Sequence, residues 1–283
     1  MKTATAMRLP GYAKGSTVGK AKDLIVKPIS AKDANRIVKA LHYSGKVVNN
    51  SQVHLGVFMG DKCGGAMQFG PSFDKRKIQG IVTGTLWNEF IELNRMAFAD
   101  WLPRNGESRC IGYSMRWLKK TYPWLKWVIS FADGTQCGDG TIYRASGFLL
   151  TGFSTGSMWL LPPDLAKIDK SLVAHRIKVQ DKSSALSIEV QKRTNGKNCT
   201  MEEYARRFGG SVQPGHMLRY IYFLDPTAKD RLTVPILPFS EIEKRGAAMY
   251  KGKPIQRSKQ AMAATSGTAD GQRIPERSNT ETA

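Results

Sequence analysis

The regular alternation of strand and helix patterns is the feature that most restricts the fold of this chain. Ser30 caps the first helix, and alternating or continuous apolar runs mark the strands. In chain order the predicted elements are a strand at 24–29, a helix at 30–41, a hairpin at 53–70, a long strand at 90–98, a helix at about 109–120, a buried strand at 127–131, a short helix at 141–147 and strands at 148–153, 157–161 and 219–224. This order predicts an α/β fold with a single mixed central sheet flanked by helices.

Composition divides the chain into three parts. Residues 1–22 are small, basic and rich in glycine, and they predict a flexible basic arm. A catalytic domain is expected over 23–250, with a helical, basic insertion at about 163–216. Residues 251–283 are polar with almost no large apolar side chains, and they predict a disordered tail.

The charge of the chain indicates a polyanionic partner. Forty-three Lys and Arg residues stand against 23 Asp and Glu, which gives a net charge of +20. Nucleic acid is the first candidate and an anionic membrane surface the second. No stretch approaches 18 uninterrupted apolar residues, so no membrane span is expected. The four cysteines form no CxxC pair, which predicts a cytoplasmic protein without disulfides or structural zinc.

Residues 90–148 carry a strand, a loop with glycine, an amphipathic helix and a buried strand. The order resembles the acetyltransferase superfamily, in which the loop and helix bind the cofactor pyrophosphate through an Arg/Gln-x-x-Gly-x-Gly/Ala pattern. One register places Arg109, Gly112 and Ser114 at the patterned positions, with serine replacing the last small residue. Another register places Glu107 at the basic position, which does not suit phosphate. An ordinary strand-turn-helix remains the alternative.

Several polar residues stand where a binding site would need them. His42 ends the first helix and can move a proton or bind a metal, or it can be a helix-end residue with a satisfied hydrogen bond. Asp133 follows an apolar strand and Asp139 lies in the next bend, at the strand ends where ligands bind in open sheets. Both can equally be turn residues. Glu92, Asn94 and Arg95 lie within one strand, with Glu92 and Asn94 on one face and Arg95 on the other, and because polar groups there are costly without partners, they indicate a pocket.

Four polar motifs and one late strand together resemble the Mom family of bacteriophage DNA-modification proteins. They lie, in order, at 42–46, 92–96, 130–134, 143–148 and 219–223. The resemblance covers roughly residues 24–240. It implies an acetyltransferase-like fold and an enzyme of the host-cell cytoplasm that converts adenine in double-stranded DNA to N6-carbamoylmethyl (methylcarbamoyl) adenine. The modification would protect phage DNA from host restriction.

The resemblance leaves the donor open between acetyl-coenzyme A and a glycine-derived aminoacyl donor such as an aminoacyl-tRNA, and it leaves an iron-assisted step open. If iron takes part, His42 with Asp133 or Asp139 would be its first ligands, and a third ligand is missing. The target sequence context and the oligomeric state are not determined by the sequence.

The expected chemistry assigns roles to these residues. The N6 amine of adenine is a poor nucleophile, so the enzyme must extrude the base, remove a proton and stabilise charge. The predicted catalytic residues are Asp133 as base or acceptor, His42 as second proton carrier, Tyr43 and Tyr143 to orient the donor, and Ser44 beside them. Substrate contacts are expected from Asn94, Arg95, Arg144 and Asp139, and donor phosphate contacts from Arg109, Gly112 and Ser114.

Two alternatives of other classes remain. One is an N-acetyltransferase that uses acetyl-coenzyme A on a protein or small amine, and the other is a DNA-binding protein on an inactive acetyltransferase scaffold. Residues 163–216 carry ten Lys or Arg, which a peptide or small-molecule enzyme does not need. A polar cluster at one end of the sheet would in turn favour an enzyme over an inactive scaffold.

Overall fold

The computed structural model describes residues 19–134, 138–169, 173–174, 184–247, 249–250 and 253–254. Residues 1–18 of the predicted arm, residues 135–137, and residues 251–252 and 255–283 of the predicted tail lie outside the described residues. Within the described residues, no helix is both long and apolar enough to cross a bilayer.

One mixed sheet organises the fold, with its strands in the order β1-β2-β3-β4-β5-β8-β6-β7. The strands are β1 (Leu24–Pro28), β2 (Val53–Met59), β3 (Lys62–Gly70), β4 (Phe90–Phe98), β5 (Trp127–Asp133), β6 (Leu149–Leu160), β7 (Val173–Ala174) and β8 (Ser211–Phe223), while β9 (Met249–Tyr250) pairs with β10 (Lys253–Pro254). The helices are α1 (Ala31–Leu41), α2 (Lys75–Gln79), α3 (Gly106–Thr121), α4 (Thr141–Ala145), α5 (Pro163–Asp169), α6 (Ala185–Arg193), α7 (Met201–Phe208) and α8 (Ser240–Lys244). The predicted class, a mixed sheet flanked by helices, is confirmed.

Helices cover both faces of the sheet. Successive residues of a strand point to opposite faces, and on β3 Met67 packs in the cluster that contains Ile111 and Met115 of α3. Its neighbour Ala66 packs instead in the cluster that contains Val38 of α1. The sheet is therefore buried on both sides, with α1 on one and α3 on the other.

The first helix ends where the site begins. The Ser30 hydroxyl accepts a hydrogen bond from the Asp33 N–H at 3.1 Å, which satisfies a first-turn donor as predicted. The helix stops at His42, whose own N–H donates to the Val38 carbonyl while its backbone turns extended. The segment after Leu41 consequently leaves the helix direction at the edge of the sheet.

The two central strands run parallel and then separate. β4 and β5 pair from Phe90 with Trp127 up to Leu93 with Ser130. Beyond this point β4 continues against β3, and β5 continues against β8. A cleft opens between the separated ends, and α3 connects the two strands as the crossover that a parallel pair requires.

The later part of the chain differs from the sequence expectation in strand length. The strands predicted at 148–153 and 157–161 form one strand, β6, because its backbone pairs with β8 from Leu149 to Leu160. β8 itself begins at Ser211, so the last residues of the predicted insertion belong to the sheet. Pairing along both strands overrides the weak strand preference of their glycines.

A helical lobe lies between β6 and β8, formed by α5, α6 and α7. Its core is a separate cluster in which Trp159 stacks on Tyr204 with ring centroids 5.7 Å apart, beside Leu165 and Val190. The predicted helical content of this segment is present as α5, α6 and α7, while residues 170–172 and 175–183 lie outside the described residues. The lobe thus has its own apolar support beside the main sheet.

Candidate active site

A cavity of about 1180 Å³ opens where β4 and β5 separate. Its walls come from the end of α1, the loop after β3, the outer half of β4, the end of β5 and the start of α4. Ligand pockets typically hold roughly 300–1,000 Å³, so this space is large enough for a sizeable ligand. Seven of the predicted site residues line it: His42, Tyr43, Asn94, Arg95, Asp133, Asp139 and Tyr143.

Tyr43 and Asp133 meet across the cavity. The Tyr43 hydroxyl donates a hydrogen bond to Oδ2 of Asp133 at 3.0 Å, although the two residues are 90 positions apart. Asp133 is only 4% exposed, whereas Tyr43 is 48% exposed at the mouth. A hydroxyl that donates to a carboxylate makes a charge-assisted bond, which fixes the orientation of both groups.

His42 is held in one tautomer. The backbone N–H of Ser44 donates to Nδ1 of His42 at 3.2 Å, and the Ser44 hydroxyl lies 2.8 Å from the same nitrogen. A backbone N–H can only donate, so Nδ1 accepts and the ring proton resides on Nε2. Burial, with a smaller effect of the positive charge of Arg95, lowers the pKa of His42 to about 4. His42 is therefore neutral near pH 7 and presents an N–H donor.

The polar residues of β4 are tied to neighbouring loops. Oδ1 of Asn94 accepts a hydrogen bond from the Ser51 hydroxyl at 3.2 Å. The Arg95 guanidinium donates to the carbonyl of Lys46 at 3.1 Å and to the carbonyl of Asn94 at 2.7 Å. These bonds connect the loop after α1 to β4, so the position of His42 depends on this strand.

Glu92 is a cavity residue that the predicted site did not include. Burial raises the pKa of the Glu92 carboxyl, while the polar side chains of Ser72 and Asn94 and the charge of Arg95 act in the opposite direction. Glu92 and Asn94 are two residues apart on one strand, so their side chains point to the same face. The strand periodicity therefore indicates Glu92 as a cavity residue together with Asn94.

Tyr143 lies at the last parallel rung of β4 and β5. Its hydroxyl is 2.9 Å from Oγ of Ser130, and that oxygen is 3.1 Å from the carbonyl of Leu93. The Tyr143 ring stacks on Tyr220 of β8 with centroids 5.1 Å apart. Tyr143 is buried, and these contacts place its hydroxyl in a fixed position where the two strands part.

Asp139 organises the start of α4. Its Oδ1 accepts hydrogen bonds from the backbone N–H and the hydroxyl of Thr141, at 3.1 Å and 2.5 Å. Its carbonyl accepts a bond from the Tyr220 hydroxyl. These contacts are those of the turn alternative, and they fix the backbone next to Tyr143.

The start of α3 corrects the expected donor phosphate site. The helix begins at Gly106, so Gly112 lies inside the helix and not in the loop that opens it. Ser114 is fully buried, and its hydroxyl donates to the carbonyl of Cys110 at 2.8 Å. Gly112 and Ser114 therefore cannot supply first-turn donors to a phosphate.

Two predicted arginines lie away from the large cavity. Arg109 is exposed on α3 and donates to the carbonyl of Lys22 at 3.4 Å. The Arg144 guanidinium lies over the ring of Phe239, 5.2 Å from its centroid. Neither residue lines the cavity that holds Asp133.

A smaller cavity of about 410 Å³ lies at the true start of α3. It shares Phe98, Glu107, Thr141 and Ile142 with the large cavity, so the two spaces adjoin. The first-turn N–H groups of a helix attract anions, and Arg104 adds one positive charge to the lining. Asp100 and Glu107 add two carboxylates, so the lining does not fit the pyrophosphate of coenzyme A.

The residues considered as iron ligands also lack a complete set. Among the residues that the structure describes, no group of three or more His, Cys, Asp and Glu side chains is arranged to hold a metal ion. His42 already uses Nδ1 to accept the Ser44 N–H. The described residues therefore do not fit an iron centre.

The amino-acid sequence is similar to a known protein family and to a curated phage protein. The Mom protein family matches residues 23–241. The methylcarbamoylase Mom of Escherichia phage Mu is 41% identical over 141 residues, which cover 49% of this chain and 58% of the phage Mu protein. The match thus spans somewhat more than half the length of this curated relative.

The similar solved structures are acetyltransferases. A Bacillus subtilis acetyltransferase in complex with coenzyme A has a TM-score of 0.38 and 9% identity, and the match covers 71% of this chain and 98% of that one. A spermidine/spermine N-acetyltransferase from Vibrio cholerae has a TM-score of 0.40 and 9% identity, with 74% and 98% covered.

Proposed function

The chain belongs to the Mom protein family, and from this membership we propose that it is a transferase that converts adenine in double-stranded DNA to N6-carbamoylmethyl adenine. The name of the phage Mu relative, a methylcarbamoylase, supports the transferred group. The observation that carries the proposal is the Tyr43–Asp133 pair inside a cavity large enough for an extruded base.

The reaction needs a base next to the amine. The lone pair of N6 is delocalised into the adenine ring, so the amine must lose a proton as its bond to carbon forms. In the proposed step, N6 bonds to the methylene carbon of the carbamoylmethyl group, the leaving group departs with the electron pair, and Asp133 accepts the N6 proton. Tyr43 holds the Asp133 carboxylate towards the cavity through their hydrogen bond.

His42 and Tyr143 act on the donor side of this proposal. His42 is neutral, and its Nε2–H donates a hydrogen bond to the carbamoyl oxygen or the leaving group as charge develops there. Ser44 keeps that tautomer by occupying Nδ1. The Tyr143 hydroxyl, fixed beside Ser130, orients the donor from the opposite wall.

Asn94 and Arg95 are proposed to hold the substrate. Asparagine pairs in a bidentate manner with the edge of adenine, and Asn94 lines the cavity in a buried position. Arg95 supplies positive charge beside it and favours the neutral form of His42. Gly112 and Ser114 have no role in the proposed site, because both lie within α3 rather than at its start and Ser114 is also buried.

The smaller cavity and the transferred group both limit the chemical class of the donor. The two carboxylates in the smaller cavity do not favour coenzyme A, which weakens the alternative of an acetyl-coenzyme A N-acetyltransferase. A glycine unit has the two carbons and one nitrogen of a carbamoylmethyl group, but an aminoacyl ester carries its nitrogen on the methylene and its leaving group on the carbonyl. The step above needs the amide at the carbonyl and the leaving group on the methylene, so we propose a two-carbon amide activated at its methylene as the donor, with double-stranded DNA as the acceptor.

The test is adenine modification in cells that express the protein. Plasmid from cells with the wild-type chain should resist adenine-sensitive restriction enzymes, and its nucleosides should contain deoxyadenosine with an added carbamoylmethyl group by mass spectrometry. Asp133→Asn should reduce the modified fraction at least tenfold, since an amide cannot accept the proton. Asp230→Asn, at an exposed acid outside the cavity, is the matched control and should modify DNA normally.

Two results would contradict the proposal at different levels. Unmodified DNA in the presence of soluble wild-type protein would refute adenine modification itself. Normal modification by Asp133→Asn, at equal protein levels, would refute Asp133 as the base and leave the overall reaction standing.

A further inference from the structure

Phe73 stands at the mouth of the large cavity, on the loop between β3 and α2. We propose that Phe73 inserts into the DNA duplex and fills the space that the extruded adenine leaves. This inference rests on the proposed function and adds the element that opens the double helix.

The exposure of Phe73 is the first observation that supports this role. The residue is 86% exposed, the largest value among the exposed large apolar residues of the described chain. It nevertheless contributes to the lining of the cavity that holds Asp133. An aromatic ring that is largely exposed and also borders this cavity is placed to enter the duplex from which an extruded base comes.

The charge next to Phe73 is the second observation. Asp74 follows Phe73 and caps α2, and Lys75, Arg76 and Lys77 come next in the first turn of that helix. The three cations outnumber this single carboxylate and match the phosphates on either side of an opened base step. Charge complementarity therefore favours a nucleic-acid duplex as the occupant of this surface over an apolar protein partner.

An adjoining aromatic extends the same surface. The Lys75 ammonium lies over the ring of Trp87, 4.4 Å from its centroid, and Trp87 is 49% exposed. This contact orients Lys75 beside the loop that carries Phe73. The surface thus combines an apolar wedge with positioned cations, as in proteins that insert side chains between base steps and kink DNA.

The energetics explain why a wedge is needed. Extruding a base from the duplex costs the free energy of its stacking and pairing. A ring that stacks in the vacated position recovers part of this cost, because aromatic side chains stack favourably on bases. Without Phe73 the opened duplex would be less populated, while attraction to the phosphates would remain.

The experiment separates opening of the duplex from binding. Long duplex DNA prepared with 2-aminopurine in place of part of its adenine becomes more fluorescent when that base leaves the stack, in every sequence context. At saturating wild-type protein the fluorescence should rise. Phe73→Ala should still bind the duplex but lose at least half of the rise, and modification in cells should fall about tenfold. Phe73→Tyr should restore both.

Trp124→Ala provides the matched control. Trp124 is an aromatic with 54% exposure, and it lies before β5, at the end of the strand opposite to Asp133. It does not line the cavity, so its loss should leave the fluorescence rise and the modification unchanged.

Three further outcomes would each refute the wedge, and the last of them would also refute the proposed function. A wild-type-like rise in Phe73→Ala would overturn the wedge while the proposed function stood. If Phe73→Ala instead lost several-fold affinity for single-stranded DNA, Phe73 would stack on the bound base inside the cavity, and the wedge would again be wrong. A wild-type protein that neither modifies DNA nor raises the fluorescence would overturn the proposed function together with the wedge.

Discussion

The neutral state of His42 makes the stability of the protein dependent on pH in a defined direction. Burial, aided by Arg95, lowers the pKa of His42 from 6.5 to about 4 in the folded chain. On acidification the unfolded chain therefore binds this proton first, so the contribution is complete above pH 6.5 and is lost as the pH falls towards 4. At about 1.4 kcal/mol per pH unit the upper limit is ~3 kcal/mol.

Solvent near the half-buried ring reduces this limit. Between pH 7 and pH 5 we expect the free energy of unfolding of the wild type to fall by ~1–2 kcal/mol more than that of His42→Gln, whose side chain does not titrate. Urea unfolding at the two pH values measures the difference. Contributions from the other histidines, His54 among them, are common to both proteins and cancel.

A direct titration is the stricter check. The ring carbon signals of His42 in NMR should shift with a midpoint near pH 4. A midpoint near 6.5, or equal pH dependence of unfolding for His42→Gln and the wild type, would refute the argument. The imidazole would then be solvated, and its role as a fixed N–H donor would have no physical basis.

Three further predictions concern the scaffold. Gly140 has φ +70°, and a Cβ added there would lie 2.5 Å from a ring carbon of Tyr220, so Gly140→Ala should lower the free energy of unfolding in urea by at least ~2 kcal/mol. Gly196 has φ +74° but no atom within 4 Å of an added Cβ, so Gly196→Ala should lower it by only ~1 kcal/mol. Thr200→Ala removes the N-cap of α7 and should lower the free energy of unfolding by ~1 kcal/mol. Burial raises the pKa of the Cys110 thiol to about 12, so iodoacetamide at pH 8 should leave this cysteine unlabelled until the protein unfolds, as mass spectrometry of the peptides can verify.

The sequence predicted best those elements whose signals are local. The strand Phe90–Phe98 has the predicted bounds, and Ser30 caps the first helix as expected. His42 and Asp133 line one cavity because a helix end and a strand end reach the same edge of the sheet. The order of the predicted elements is enough to predict that His42 and Asp133 lie close together. The hydrogen bond from Tyr43 to Asp133 joins residues 90 positions apart, and only the three-dimensional structure reveals it.

The errors arose where tertiary structure overrides local preference. The helix predicted from about residue 109 begins at Gly106 instead, because Asn105 adopts φ +64° as its N-cap. The expected phosphate-binding residues Gly112 and Ser114 consequently lie within the helix. Likewise, the glycines of β6 predict a break that pairing with β8 prevents. Neither the left-handed cap nor the partner strand is visible in the local sequence.

The stacking of Tyr220 on Tyr143 has a consequence for the order in which the protein is made. The Tyr220 hydroxyl bonds to the carbonyl of Asp139, 81 positions earlier, and the whole helical lobe is synthesised between the two. A nascent chain that already contains His42, Asp133 and Tyr143, but not yet β8, lacks the Tyr220 ring that stacks on Tyr143 and the hydroxyl that bonds to Asp139. Closing so long a loop is entropically costly and comes late. The candidate site is therefore fully arranged only after β8 has been synthesised, and a product truncated before β8 would carry His42, Asp133 and Tyr143 without the packing that arranges them.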